Sequence, residues 1–148
     1  MNASNPFTGV DHQIFVVADM EAAVMFWQNQ LGLALRHRTV IESHHVDQAF
    51  FPLPDGTFIE LLAPTDASSP VAKIIEKNGE GLHVLALKVA DLAGAIQVLK
   101  TNGAVLTGEG TDRVFVHPEQ PGTPMIQLWP ESRPHRWRDD ATGHREVK

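Results

Sequence analysis

The chain contains no cysteine, which excludes a disulfide framework, a thiolate metal site and a cysteine nucleophile together. It also lacks any apolar run approaching the roughly 18 to 20 residues that cross a bilayer. The opening Met1-Asn2-Ala3-Ser4-Asn5-Pro6 is polar, without the apolar centre of a secretory signal. A soluble, cytoplasmic protein with no membrane partner is therefore the expectation. Positive charge is in deficit: 12 Lys and Arg stand against 18 Asp and Glu, a net charge of −6, the wrong sign for binding phosphate backbones. The basic cluster Arg133 to Arg138 is interrupted by Pro134 and followed by Asp139 and Asp140, so no nucleic-acid partner is expected. What is present is a chain of 148 residues, 43% hydrophobic, enough for one domain or for two small repeats sharing a core.

One phrase occurs twice, Val17-Ala18-Asp19-Met20 and Val89-Ala90-Asp91-Leu92, at an offset of 72 residues. Each copy follows an apolar run and precedes a helix-like stretch that ends in glycine. In the first copy, His12 to Ala18 reads as a strand, and Asp19 caps a helix running to Leu31 before Gly32. Residues 34–41, 45–53 and 57–62 read as three further strands, the last two joined by Pro54-Asp55-Gly56. The second copy repeats the order: His83 to Val89, a helix from Asp91 to Asn102 before Gly103, strands near 104–108 and 112–117, and Met125 to Trp129. Between the copies, Ser69 caps a short helix with Pro70 at its first position. The organisation expected is a first βαβββ module over 1–68, a linker helix in 69–82, a second βαβββ module over 83–130, and a polar tail from 131 to 148, either mobile or laid over a partner.

A doubled βαβββ unit joined by a short helix resembles the vicinal oxygen chelate superfamily of glyoxalases, bleomycin-resistance proteins and extradiol dioxygenases. The wording is closest to the branch of methylmalonyl-CoA epimerase. The residues that carry the resemblance are Asp11-His12, Glu60-Leu61-Leu62-Ala63-Pro64, Ser69-Pro70-Val71-Ala72-Lys73, Gly79-Glu80-Gly81-Leu82-His83, and His117-Pro118 leading to Ile126-Gln127-Leu128. The resemblance implies an α+β fold, with tandem βαβββ repeats forming curved mixed sheets around a cleft. It also implies a divalent metal held by the first and last strands of each copy, and a homodimer. Carried over by position, His12, Glu60 and Gln127 match three of the four ligand places. At the fourth, the family's motif has a second histidine where this chain has Val84 after His83.

The repeat offset gives the same result from the residues alone, because His12 plus 72 is Val84. Neighbours along a strand face opposite ways, so Val84, Ala86 and Lys88 share one face while His83, Leu85, Leu87 and Val89 share the other. A one-residue bulge at the strand start would be needed to turn His83 toward a metal.

An imidazole, a carboxylate and an amide oxygen suit Mn, Co, Ni, Fe(II) or Zn. Such an ion acts as a Lewis acid on a carbonyl and stabilises an enolate. In the resembling epimerases the last-strand ligand is a glutamate that also exchanges a proton with substrate. Gln127 cannot do so. Gln48 and Asp47 lie on the strand that carries the other base, with Gln48 at the closer match, and Glu60, His44 and His45 are further candidates. Phe50 or Phe51 should face the cleft; Phe50, Val84, Lys88 and Trp129 are expected to line a substrate pocket. His37, His135 and His144 read as surface residues. Two functions remain open. One is a metal-dependent isomerase or lyase acting on a small carbonyl compound or acyl-CoA thioester. The other is a metal-free relative that sequesters a small hydrophobic molecule, or acts on it with the cleft carboxylate and histidine.

Overall fold

The computed structural model describes residues 4–139; His144 and the rest of 140–148 lie outside the described residues. The element order is β1 (Phe7–Val16), α1 (Met20–Met25), β2 (His37–Ile41), β3 (Val46–Pro52), β4 (Phe58–Pro64), α2 (Pro70–Asn78), β5 (Gly81–Val89), α3 (Leu92–Thr101), β6 (Leu106–Thr107), β7 (Phe115–Val116), β8 (Met125–Pro130) and α4 (Arg136–Asp139). This is the α+β architecture of two successive βαβββ modules. No helix among the described residues is long and apolar enough to cross a membrane.

Local chemistry explains the helix starts and stops. The Asp19 side chain accepts the Ala22 backbone N–H at 3.1 Å, satisfying one of the free donors of the first turn of α1. The helix expected to run unbroken to Leu31 instead widens at Phe26–Gln30 into a π turn, with the Leu31 N–H reaching the Phe26 carbonyl at 3.0 Å. Gly32, at φ +81°, then ends it. At α2, Ser69 Oγ accepts from the Val71 N–H at 3.1 Å and Pro70 occupies the first turn, where no donor is needed. The strands expected over 104–108 and 112–117 shrink to two residues each. The chain between them folds back at Gly108, where φ is +82° and a Cβ would collide with the Arg113 carbonyl.

The described residues form two compact units, one of 4–12 with 84–133 and the other of 13–83 with 134–139. In the first, the strand order is β1-β5-β8-β7-β6; in the second, β2-β3-β4-β1. Each copy thus places its first strand beside its fourth, then its third and second. The repeat in the sequence is a repeat of topology, and β1 serves both units with its two halves.

In the second unit, β3 and β4 pair antiparallel with Ala49 opposite Leu61 and Phe51 opposite Ile59. These residues, with Ala63, form a core against Met20, Ala23, Val24 and Trp27. A second cluster seats Val71, Ile74 and Ile75 of α2 on Val16, Val46 and Leu62. In the first unit, β5 and β8 pair parallel with Leu87 opposite Leu128, and Val89 and Leu128 pack with Ala95, Leu99 and Val114. The apolar face of each sheet is therefore taken by its own helix, which leaves the opposite face for the polar residues of interest.

The start of the tail departs from expectation. Residues 134–139 belong to the second unit, and Trp137 is buried, with Phe50 and Phe58, in a third cluster of that unit. A tryptophan buries 150–250 Å² when covered, which outweighs the polarity of its neighbours and holds this part of the tail on its own sheet.

Candidate functional site

In the first unit, the parallel register of β5 and β8 sets Val84 beside Met125, Ala86 beside Gln127 and Lys88 beside Trp129. By alternation these six residues share the face opposite the helix. Gln127 is buried there, and so is His12 on β1, only 3% exposed. His12 Nδ1 lies 2.7 Å from Asp11 Oδ2, itself buried. A carboxylate at Nδ1 fixes the tautomer with the proton on that nitrogen and turns Nε2 into the electron-pair donor, the arrangement seen behind metal-binding histidines. The His12 ring stands nearly perpendicular to Trp129, 83° between planes with centroids 5.4 Å apart. Trp129 is fixed in turn by its N–H to the Arg133 carbonyl at 3.2 Å and by the Arg133 guanidinium 5.0 Å above its ring. His12, Gln127, Trp129, Lys88 and Val84 thus all belong to one unit.

Glu60, Gln48, Phe50 and His83 belong to the other. Glu60 on β4 is 8% exposed, and its Oε2 accepts from Gln48 Nε2 on β3 at 3.2 Å. That hydrogen bond assigns the Gln48 amide as donor toward the carboxylate and leaves Oε1 as an acceptor. Asp47 lies on the opposite face. It holds Arg38 through two contacts, 2.8 and 3.2 Å, and Arg38 also reaches Glu21 of α1 at 2.8 Å. The Asp47 hydrogen bond and then that of Glu21 push the Arg38 guanidinium pKa up, so the trio is a fixed ion-pair network on the helix side. Asp47 therefore leaves the set of candidate bases, because one step along a strand reverses the face. His45, another candidate, takes a left-handed conformation at φ +56° and contacts Asp66 at 2.9 Å.

Phe50 does face the Glu60 side, but it is not a bare pocket wall. The Trp137 indole stacks on it at 5.0 Å and 18°, and Trp137 stands edge-on to Phe58 at 5.0 Å. Arg138 then lies 4.9 Å over Trp137 and 5.1 Å over Phe58, and it donates to the Thr57 carbonyl at 3.3 Å. Phe51 points the other way, into the helix-side core. His37, which reads as a surface residue, is 5% exposed. It sits on β2 directly opposite Phe50, ring centroids 5.8 Å apart. Both residues were concealed by polar surroundings in the sequence. A lone tryptophan in a polar tail was the one signal that pointed to Trp137.

His83 precedes the segment Val84–Val89 that pairs with β8 residue for residue, and alternation puts it on the face opposite Val84. Burial pushes its imidazole pKa below the ordinary value of about 6.5. Because the unfolded chain then binds the proton more readily than the folded one, stability declines as pH falls below the unfolded value toward the lower folded one. Urea midpoints measured from pH 7.5 to 5.5 should fall, and His83→Gln should flatten that part of the profile. An unchanged slope in the variant would assign the acid sensitivity elsewhere.

Comparison with known proteins locates the fold. A family model described as the glyoxalase/bleomycin resistance protein/dioxygenase superfamily matches residues 11–118. An ethylmalonyl-CoA/methylmalonyl-CoA epimerase of Cereibacter sphaeroides is 34% identical over 123 residues, 82% of this chain and 88% of that protein. The crystal structure of methylmalonyl-CoA epimerase from Mycobacterium tuberculosis superposes with a TM-score of 0.68 at 33% identity, covering 88% of this chain and 93% of that one. A variant of the Streptomyces coelicolor methylmalonyl-CoA epimerase, in complex with 2-nitronate-propionyl-CoA, superposes at 0.67 with 27% identity, covering 86% of this chain and 99% of that one.

Proposed function

The chain belongs to the glyoxalase/bleomycin resistance protein/dioxygenase superfamily, and from that premise we propose that it is an isomerase acting at the α-carbon of an acyl-CoA thioester, with Glu60 as its proton-exchanging carboxylate. The observation that carries this reading is the state of Glu60. Among the described residues the buried carboxylates are Asp11, committed to His12, and Glu60, whose oxygen is oriented by the neutral amide of Gln48. A buried carboxylate aligned by one amide donor keeps electron pairs for an incoming C–H, the condition for general-base catalysis. Relatives that bear the name methylmalonyl-CoA or ethylmalonyl-CoA epimerase support the substrate class.

The family's ligand positions, carried onto this chain, are His12, Gln127 and Glu60. The donor chemistry fits a divalent ion: an imidazole oriented by a carboxylate, an amide oxygen and a carboxylate, while Val84 adds no donor. When bound, such an ion supplies Lewis-acid polarisation of the thioester carbonyl. Calorimetric titration with Co or Mn should show Asp11→Asn weakening binding about 10- to 100-fold through loss of the carboxylate behind His12. Equal affinity in the variant and the parent would remove Asp11 from that role.

Gln48 and Gln127 occupy the places that bear proton-exchanging groups in the resembling epimerases, and neither amide ionises. The single carboxylate must therefore both remove the α-proton and return it. Proton exchange with solvent should consequently outpace inversion of configuration. The test is one stereoisomer of methylmalonyl-CoA in D2O, with α-deuteration followed by NMR and configuration followed separately. Deuteration faster than inversion is the expected result; no deuteration sinks the proposal. Val84 favours a second reading, in which the chain binds the thioester without turning it over. That case would show calorimetric binding and no deuteration.

A further inference from the structure

On the sheet face that carries Glu60, three residues stand directly opposite one another across β2, β3 and β4: His37, Phe50 and Glu60. The Trp137 indole stacks on the middle one. His37 is 5% exposed and Trp137 4%, yet His37 Nε2 and Trp137 Nε1 have no hydrogen-bond partner, nor does Gln48 Oε1 two residues from Phe50. Native proteins rarely leave buried polar atoms unpaired, since each one costs about 1–3 kcal/mol. Three such atoms around one phenylalanine, beside the proposed base, call for a common explanation.

The chemistry of the two ring nitrogens narrows it. An indole N–H is a donor only, so its partner must be an acceptor. The Arg138 guanidinium, 4.9 Å over the same indole, makes the partner's preferred charge negative. A neutral His37 that presents Nε2–H would supply a second donor to an oxygen of the same group. We propose that His37 and Trp137 form a carboxylate-recognition subsite that selects acyl-CoA substrates bearing a second carboxylate on the acyl group, with Phe50 as its floor. The proposal rests on the thioester reading and deepens it. It explains why the chain folds a tryptophan from its polar tail back onto this face: the indole both covers Phe50 and contributes the donor. Substrates without the free carboxylate leave both donors unpaired and are disfavoured for that reason.

The subsite is tested separately from the reaction by titrating free methylmalonate into uniformly 15N-labelled protein and following the indole N–H signals of Trp27, Trp129 and Trp137. Trp137→Phe, which keeps the ring stack and removes the N–H, assigns the Trp137 signal. A saturable shift of that signal, with those of Trp27 and Trp129 unmoved, supports the subsite even if the protein exchanges no α-proton. An unmoved Trp137 signal at saturating methylmalonate overturns it even if exchange is observed. A second measurement compares dissociation constants for methylmalonyl-CoA and propionyl-CoA, which lacks the carboxylate. The preference for methylmalonyl-CoA should drop about tenfold in Trp137→Phe and in His37→Phe, the loss of one hydrogen bond to a charged group. An unchanged preference in both variants, with melting temperatures near that of the parent, also overturns the proposal.

Discussion

Glu60→Gln should lower the rate of α-proton exchange about 10²- to 10⁴-fold, the usual contribution of a positioned general base. The substitution is close to isosteric and retains an oxygen that can accept from Gln48 Nε2, which now bonds Glu60 at 3.2 Å. The fold should therefore tolerate it, and the melting temperature should stay near that of the parent. The rate and the melting curve together separate chemistry from structure. A variant that melts like the parent but exchanges protons within about threefold of it would remove Glu60 as the base, well short of the two decades expected. Gln48→Ala offers the graded comparison. It leaves the carboxylate in place and removes only its orienting donor, so its loss should be much smaller than that of Glu60→Gln.

Phe51→Ala should be the most destabilising of the core truncations considered, at about 3–5 kcal/mol. Phe51 is 0% exposed and lies among Ala49, Ile59, Leu61 and Met20, with the Trp27 ring 6.4 Å away. The surrounding strands are hydrogen-bonded on both sides of β3, so the sheet cannot collapse to fill the void. For a chain of this size the melting temperature should fall by roughly 6–20 °C, about 2–4 °C for each kcal/mol. A drop under about 3 °C would mean that the helix layer repacks freely, contrary to the close packing of protein interiors.

The two adjacent phenylalanines show where sequence reading stops. Alternation along Ala49-Phe50-Phe51 requires that they face opposite ways, and no property of the pair says which side each takes. The register with β4 decides it, by placing Phe51 against Ile59 in the core row and Phe50 against Glu60 in the other. The same one-residue step separates Gln48, bonded to Glu60, from Asp47, bonded to Arg38. Composition favours Asp47 as a base, because it ionises. Position excludes it, because its carboxylate is spent on a guanidinium on the helix side.

The sequence by itself determined the duplicated βαβββ order, since the repeated Val-Ala-Asp phrase, the capping residues and the stopping glycines act over a few neighbouring residues. By its 72-residue offset it also set Val84 where a second histidine ligand stands in the family. Only the tertiary structure decided that β1 is shared between the two units, that Asp47 belongs to an ion pair, and that His37 and Trp137 are buried over Phe50. These outcomes depend on contacts between residues far apart in the chain, such as Phe50 and Trp137, where the apolar area covered outweighs the polarity of the neighbouring sequence.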